Sequence, residues 1–121
     1  MSNAALTRHL KANPMRVEKV DLKGWKEPLY LREMDAEAMA EFMRINQAGQ
    51  DDASFSVARA IDVICLHLCD EKGTLSSEGS GAEMLAQAIK RLKFAEVTEL
   101  FSACMRASGL SAAEVEAAEG N

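Results

Sequence analysis

Apolar positions along the chain change their period several times, and each change marks an element. Leu6 and Leu10 stand four apart among good helix formers, and Asn13 with Pro14 forms a stop, so residues 4–11 are predicted as a short leading helix. From Met15 to Leu22, β-branched Val17 and Val20 sit among charges; from Leu29 to Met34, Leu29 and Leu31 alternate with Tyr30 and Arg32. With Lys23, Gly24 and Pro28 between them, these runs predict a β-hairpin over residues 15–34. Its connection is longer than a two-residue turn, and Trp25 within it is expected to fold back over one face of the ribbon. Two strands alone are marginally stable, so the ribbon must rest on helices.

Asp35 is the expected N-cap of a helix in which Ala38, Met39, Phe42 and Ile45 keep helical spacing until Gly49. Gln47 to Ala53 is polar and is predicted as a loop. From Ser54, the positions Val57, Ile61, Ile64, Cys65 and Leu68 form one stripe, which Val63 and Leu66 widen. So broad an apolar surface predicts a central helix covered on more than one side, ending at Gly73. Thr74 to Gly81 is rich in Ser and Gly and reads as the most mobile internal segment. Ser80 with Glu83 fits a capping box opening a short helix through Met84, Leu85 and Ile89. Phe94, Val97, Leu100, Phe101, Cys104 and Met105 mark the next helix, and Gly109-Leu110 suits a Schellman ending. Ser111 with Glu114 opens a weak terminal helix.

The fold class expected from this order is mainly α: a compact helical domain with a small N-terminal β-hairpin, at the margin of α+β. Residues 1–14 are read as a leading helix or flexible terminus, and 15–121 as a single domain, in keeping with the 121-residue length. Phe42, Ile61, Ile64, Leu68, Val97, Leu100 and Phe101 are expected to share its core.

Composition narrows the function more than the fold. Hydrophobic residues at 48% and charged residues at 27% describe an ordinary globular chain. The formal net charge of -5 opposes nucleic-acid binding, and the basic stretch Lys90, Arg91 and Lys93 is short and shares no single helical stripe. Cys65, Cys69 and Cys104 are an odd count with no secretory pattern before them, so a reducing cytoplasm is expected. No run approaches the ~20 apolar residues that cross a bilayer. Ser2-Asn3-Ala4 resembles residues left by an expression vector and carries no weight.

Candidate chemistry is weak throughout. Cys65, His67 and Cys69 are residue types that zinc prefers, yet on one continuous helix His67 points roughly 200° from either cysteine. Read so, the cysteines are buried core and His67 faces solvent. A Cys–His nucleophile would also need an orienting group and an oxyanion hole, and Cys65 and Cys69 are expected mid-helix. Asp51, Asp52, Asp70 and Glu71 lack the alternating ligands of a calcium loop, and Gly79 and Gly81 lack the Lys and strand of a phosphate cradle. The expectation is a binding protein, not an enzyme, with no metal or cofactor.

Two stretches carry a resemblance. Trp25-Lys26-Glu27-Pro28-Leu29-Tyr30-Leu31-Arg32-Glu33-Met34-Asp35 resembles the Trp-bearing turn, strand and cap of siphophage (lambda-like) tail assembly chaperones. Cys69-Asp70-Glu71-Lys72-Gly73, a loop, a helix, and then Phe94 to Ser108 with Gly109-Leu110-Ser111 and a terminal Glu119-Gly120-Asn121 resemble the same family's Asp-Glu-x-Gly turn and final helix. The family usually continues past its Gly turn with a Phe and acidic residues, whereas this chain has Thr74-Leu75-Ser76-Ser77-Glu78. The resemblance implies a chaperone of phage or prophage tail assembly, working in the cytoplasm of the bacterial host. Such a protein coats the tape measure protein, keeps it soluble and helps recruit tail tube protein; self-association is open. The motif assigns no binding residues. Apolar helix faces suit a helical client, and Trp25, Met34, Met39, Met43, Met84 and Met105 are the candidates, methionine being adaptable at such surfaces. The alternative is a small helical adaptor or regulatory protein that binds one folded partner.

Overall fold

The backbone of this chain closes its hydrogen bonds in five helices and one small sheet among the residues that the computed structural model describes, 3–48, 56–78 and 81–109. In chain order these are α1 (Ala4–Ala12), β1 (Val17–Val20), β2 (Leu29–Arg32), α2 (Ala36–Ala48), α3 (Val57–Cys65), β3 (Leu68–Cys69), α4 (Gly81–Ile89) and α5 (Phe94–Ala107). Helices with a small antiparallel sheet match the fold class read from the sequence. The sheet, however, has three strands where two were expected.

The hairpin pairs Val17 with Arg32 and Val20 with Leu29. Its connection turns at Gly24, whose φ of 85° is one that residues with a Cβ rarely adopt. Alternation then places Leu31 inward, where it is fully buried, and leaves Lys19 exposed. A two-stranded ribbon leaves one edge of β2 unpaired, and that edge is where the sequence reading fails. The predicted helix from Ser54 to Gly73 stops at Cys65. Leu66 and His67 turn through three-residue hydrogen bonds to Val63 and Ile64, and Leu68–Cys69 then pairs with Leu31 and Tyr30 as a third strand. The Arg32 amide donates to the His67 carbonyl at 2.7 Å, completing the edge.

Gly73 therefore ends a turn, not a helix. The Asp70 carboxylate accepts from the amides of Lys72 and Thr74, both at 2.9 Å, and Gly73 closes the turn with φ of 89°. The chain doubles back, Leu75 bridges Cys69, and the Ser76 amide donates to the Leu68 carbonyl. The first half of the Ser- and Gly-rich loop is thus hydrogen-bonded to β3.

Helix starts follow their caps. The Asp35 carboxylate accepts from the Ala38 amide at 2.8 Å, and the Glu96 carboxylate reaches back to the Lys93 amide at 2.9 Å. Gly109, at φ of 74°, follows the end of α5 as predicted. Gly49, Ser80, Leu110 and the weak helix expected from Ser111 lie outside the described residues.

Helix α3 is central, as its broad apolar surface predicts: Ala60, Ile61, Val63 and Ile64 are all buried, and it packs against α2, α4 and α5. The expected core residues join one cluster, Phe101 from its rim, together with Val20, Leu22, Leu31, Ile45 and Ile89. Leading helix α1 stands apart from this cluster, with no buried residue.

Candidate protein-binding surfaces

The six candidate residues separate by burial. Met105 is buried in the core, so its side chain is structural. Met34 and Met39 are half-buried against the core. Trp25 is half-buried too, and its indole Nε1 donates to Glu96 Oε2 at 2.6 Å, tying the hairpin turn to the first turn of α5. That bond holds the Glu96 carboxyl below its ordinary range. Only Met43 on α2 and Met84 on α4 are well exposed, at 58% and 76%.

Sequence periodicity missed two further exposed apolar side chains. Phe94, read as part of the inward stripe of α5, is 62% exposed. It is the first residue of that helix and lies only about 70° around the axis from the buried pair Val97 and Cys104 on average, so it is exposed by its place in the first turn and not by its face. Val57 occupies the same first position on α3 and is likewise exposed. The signal was present: an apolar residue one place after a cap precedes the turn that buries its face.

Helix α2 divides its surface. Ala38, Phe42 and Ile45 face the core, Glu37 and Glu41 lie on one flank, and Met39 and Met43 on the other, roughly 200° around the axis from the acids. The acidic flank borders a groove of about 560 Å³ lined by Ala38, Leu66 and Leu75 beneath Asp35, Glu37, Glu41 and Glu78, with Arg32 and Ser77. Arg32 donates from Nη1 to the Gly73 carbonyl at 3.2 Å and sits 3.6 Å from Asp35, while its buried Nε has no partner. Glu41 pairs with Arg44, whose hydrogen bond holds the carboxyl below its ordinary range. Glu37 and Glu78 have no ion pair among the described residues. The groove therefore combines an apolar floor with a negative rim.

His67 overturns the reading that set it facing solvent. It is fully buried, because the helix ends at Cys65 and the chain turns inward. Nδ1 lies 2.9 Å from the Val63 carbonyl and Nε2 2.9 Å from Ser108 Oγ. A carbonyl only accepts, so Nδ1 carries the proton and Nε2 accepts from the Ser108 hydroxyl. Ser108 Oγ in turn accepts from the Met34 amide at 3.2 Å. One imidazole thus ties together the end of α3, the end of α5 and the exit of β2, and burial holds its pKa below the ordinary value.

The cysteines are also placed differently from the prediction. Cys69 lies in β3, so Cys65 and Cys69 do not share a helical face. All three are free thiols. Burial and Asp62 push the Cys65 thiol up to about 11, and burial raises Cys69 and Cys104 as well. With their pKa values raised these thiols are neutral and poor nucleophiles. Among the described residues no three His, Cys, Asp or Glu side chains gather as a metal site.

The chain matches no protein-family model, no curated protein and no solved structure. No helix among the described residues is long and apolar enough to cross a membrane. What its helices do offer is exposed apolar side chains: Met43 and Met84 away from the buried faces of α2 and α4, and Val57 and Phe94 at the first positions of α3 and α5.

Proposed function

We propose that this protein is a non-catalytic tail assembly chaperone of a phage or prophage, which binds the tape measure protein, keeps it soluble and assists tail tube assembly in the bacterial cytoplasm. The observation that carries the reading is the exposure of Met43 and Met84 on helices whose opposite faces form the core, with Phe94 exposed at the start of α5. Exposed methionines present a deformable apolar surface, which suits a long helical client that offers many slightly different faces in succession. The resemblance supplies the identity of that client. Both stretches that carry it have definite structural roles here: Trp25 and Asp35 anchor the hairpin and α2, and Asp70 and Gly73 build the turn beside β3.

The test is co-expression with the long helical protein encoded next to it, followed by affinity capture at low and high salt. Apolar contact survives screening, so the client stays bound at both salt concentrations. Met43→Asp with Met84→Asp should release it while the chain stays folded, since both side chains are exposed. A soluble neighbour that co-purifies at neither salt removes the chaperone reading in favour of an adaptor.

A further inference from the structure

Helix α1 is the least explained element of the fold. Nine residues are too few for a stable helix in water, where roughly 12–15 are needed even in favourable sequences. Yet α1 has no buried residue, and Leu6 and Leu10, one turn apart on one face, are 55% and 56% exposed. The helix carries Arg8 and Lys11 and no acid. Lys11 lies about 120° around the axis from the leucine stripe, close enough for its long side chain to reach the rim of whatever that stripe enters.

A surface of matching form lies near the root of this helix. Arg16 and Glu33 are bonded backbone to backbone at 3.0 Å, and Val17 pairs with Arg32, which lines the acidic groove. The floor of the groove, Leu66 and Leu75, offers apolar contact to two leucines, and Glu37 and Glu78 on its rim have no ion pair among the described residues. Because helix root and groove occupy the same end of the sheet, a twofold axis passing there lets each of two copies present α1 to the other's groove. Both contacts are then the same and the assembly closes.

We infer that α1 of one copy docks in the groove of a second, with Leu6 and Leu10 on its apolar floor and Lys11 against Glu37 and Glu78. The contact uses the acidic flank of α2 and leaves the methionine flank uncovered, so it goes beyond the client-binding reading.

Sedimentation equilibrium of the whole chain over a concentration series reads the result. The natural chain forms a dimer. Leu6→Asp with Leu10→Asp gives a monomer whose far-UV circular dichroism stays that of a folded protein, because neither side chain is part of the core. Lys11→Glu weakens the dimer by roughly fivefold, as expected for an exposed charge pair made repulsive. Combining Lys11→Glu with Glu37→Lys and Glu78→Lys restores it. A monomer at every concentration overturns the inference. So does a dimer that Leu6→Asp with Leu10→Asp leaves intact, or a charge exchange that fails to restore association. A monomer whose groove instead binds a basic helical peptide assigns that surface to another partner and also overturns it.

Discussion

His67 makes the stability of this fold depend on mild acid. Its folded pKa lies below the ordinary value of 6.5 because burial penalises the imidazolium. Between the two values the unfolded chain binds a proton that the folded chain refuses. Stability is therefore complete above about pH 6.5 and is lost as the pH falls toward the folded pKa, by at most about 1.4 kcal/mol per unit for one group. The carboxyls of Asp70 and Glu96 are also lowered, but their contribution is lost only as the pH falls below their ordinary values of 3.8 and 4.5. From about pH 6.5 down to about 5 the slope belongs to His67.

Ser108→Ala tests the geometry behind this. It removes the hydroxyl that donates to Nε2 and accepts from the Met34 amide. An orphaned buried acceptor costs about 1–3 kcal/mol, a sizeable share of the stability of a domain this small. The variant also loses a donor that favours the neutral ring, so its folded pKa rises and the acid slope becomes shallower. Urea unfolding at a series of pH values, read from the fluorescence of Trp25, the sole tryptophan, measures both effects. His67→Leu should show no slope in that window, whatever its absolute stability. A natural chain whose midpoint is flat from about pH 6.5 to 5, or a His67→Leu chain with the same slope, would refute the buried neutral imidazole.

Two further predictions use the same unfolding assay. Ile64→Ala, at a fully buried position in the centre of α3, should cost about 2–5 kcal/mol with an unchanged denaturant slope, and a loss under about 1 kcal/mol would remove α3 from the core. Gly73→Ala should cost about 1–3 kcal/mol, because φ of 89° disfavours any Cβ and the new methyl would stand 3.2 Å from Val17 Cγ2; an unchanged midpoint would mean the turn adopts another conformation.

The difference between what the sequence predicts and what the chain forms lies in long-range pairing. Helix α5 was legible because its buried residues recur every three or four positions and a glycine stops it, both local signals. Asp35 was legible as a cap for the same reason. Leu68 fits a helical stripe begun at Ile61 equally well as it fits a strand, and two residues carry no period of their own. The choice is made by the unpaired edge of β2, about forty residues earlier in the chain, whose backbone groups would otherwise be buried without partners. One local clue did point the right way. An Asp followed three residues later by Gly is a turn signal, and a turn directly after Cys69 reverses an extended strand more naturally than it ends a helix. Once the helix stops at Cys65, the burial of His67 follows.

Among the candidate residues, methionine spacing alone could not separate surface from core. Met105 falls on the buried stripe of α5, whereas Met43 lies outside the arc of Ala38, Phe42 and Ile45 that anchors α2. That arc matters beyond burial, because it divides α2 into an acidic flank beside the groove and a methionine flank away from it. Under the two proposals the flanks have different occupants, so one helix keeps self-association and client binding apart. The consequence is separability. Leu6→Asp with Leu10→Asp should abolish the dimer yet still capture the client, and Met43→Asp with Met84→Asp should do the reverse. If instead either pair of substitutions abolishes both interactions in a chain that remains folded, the two surfaces are coupled, and the dimer itself is what the client recognises.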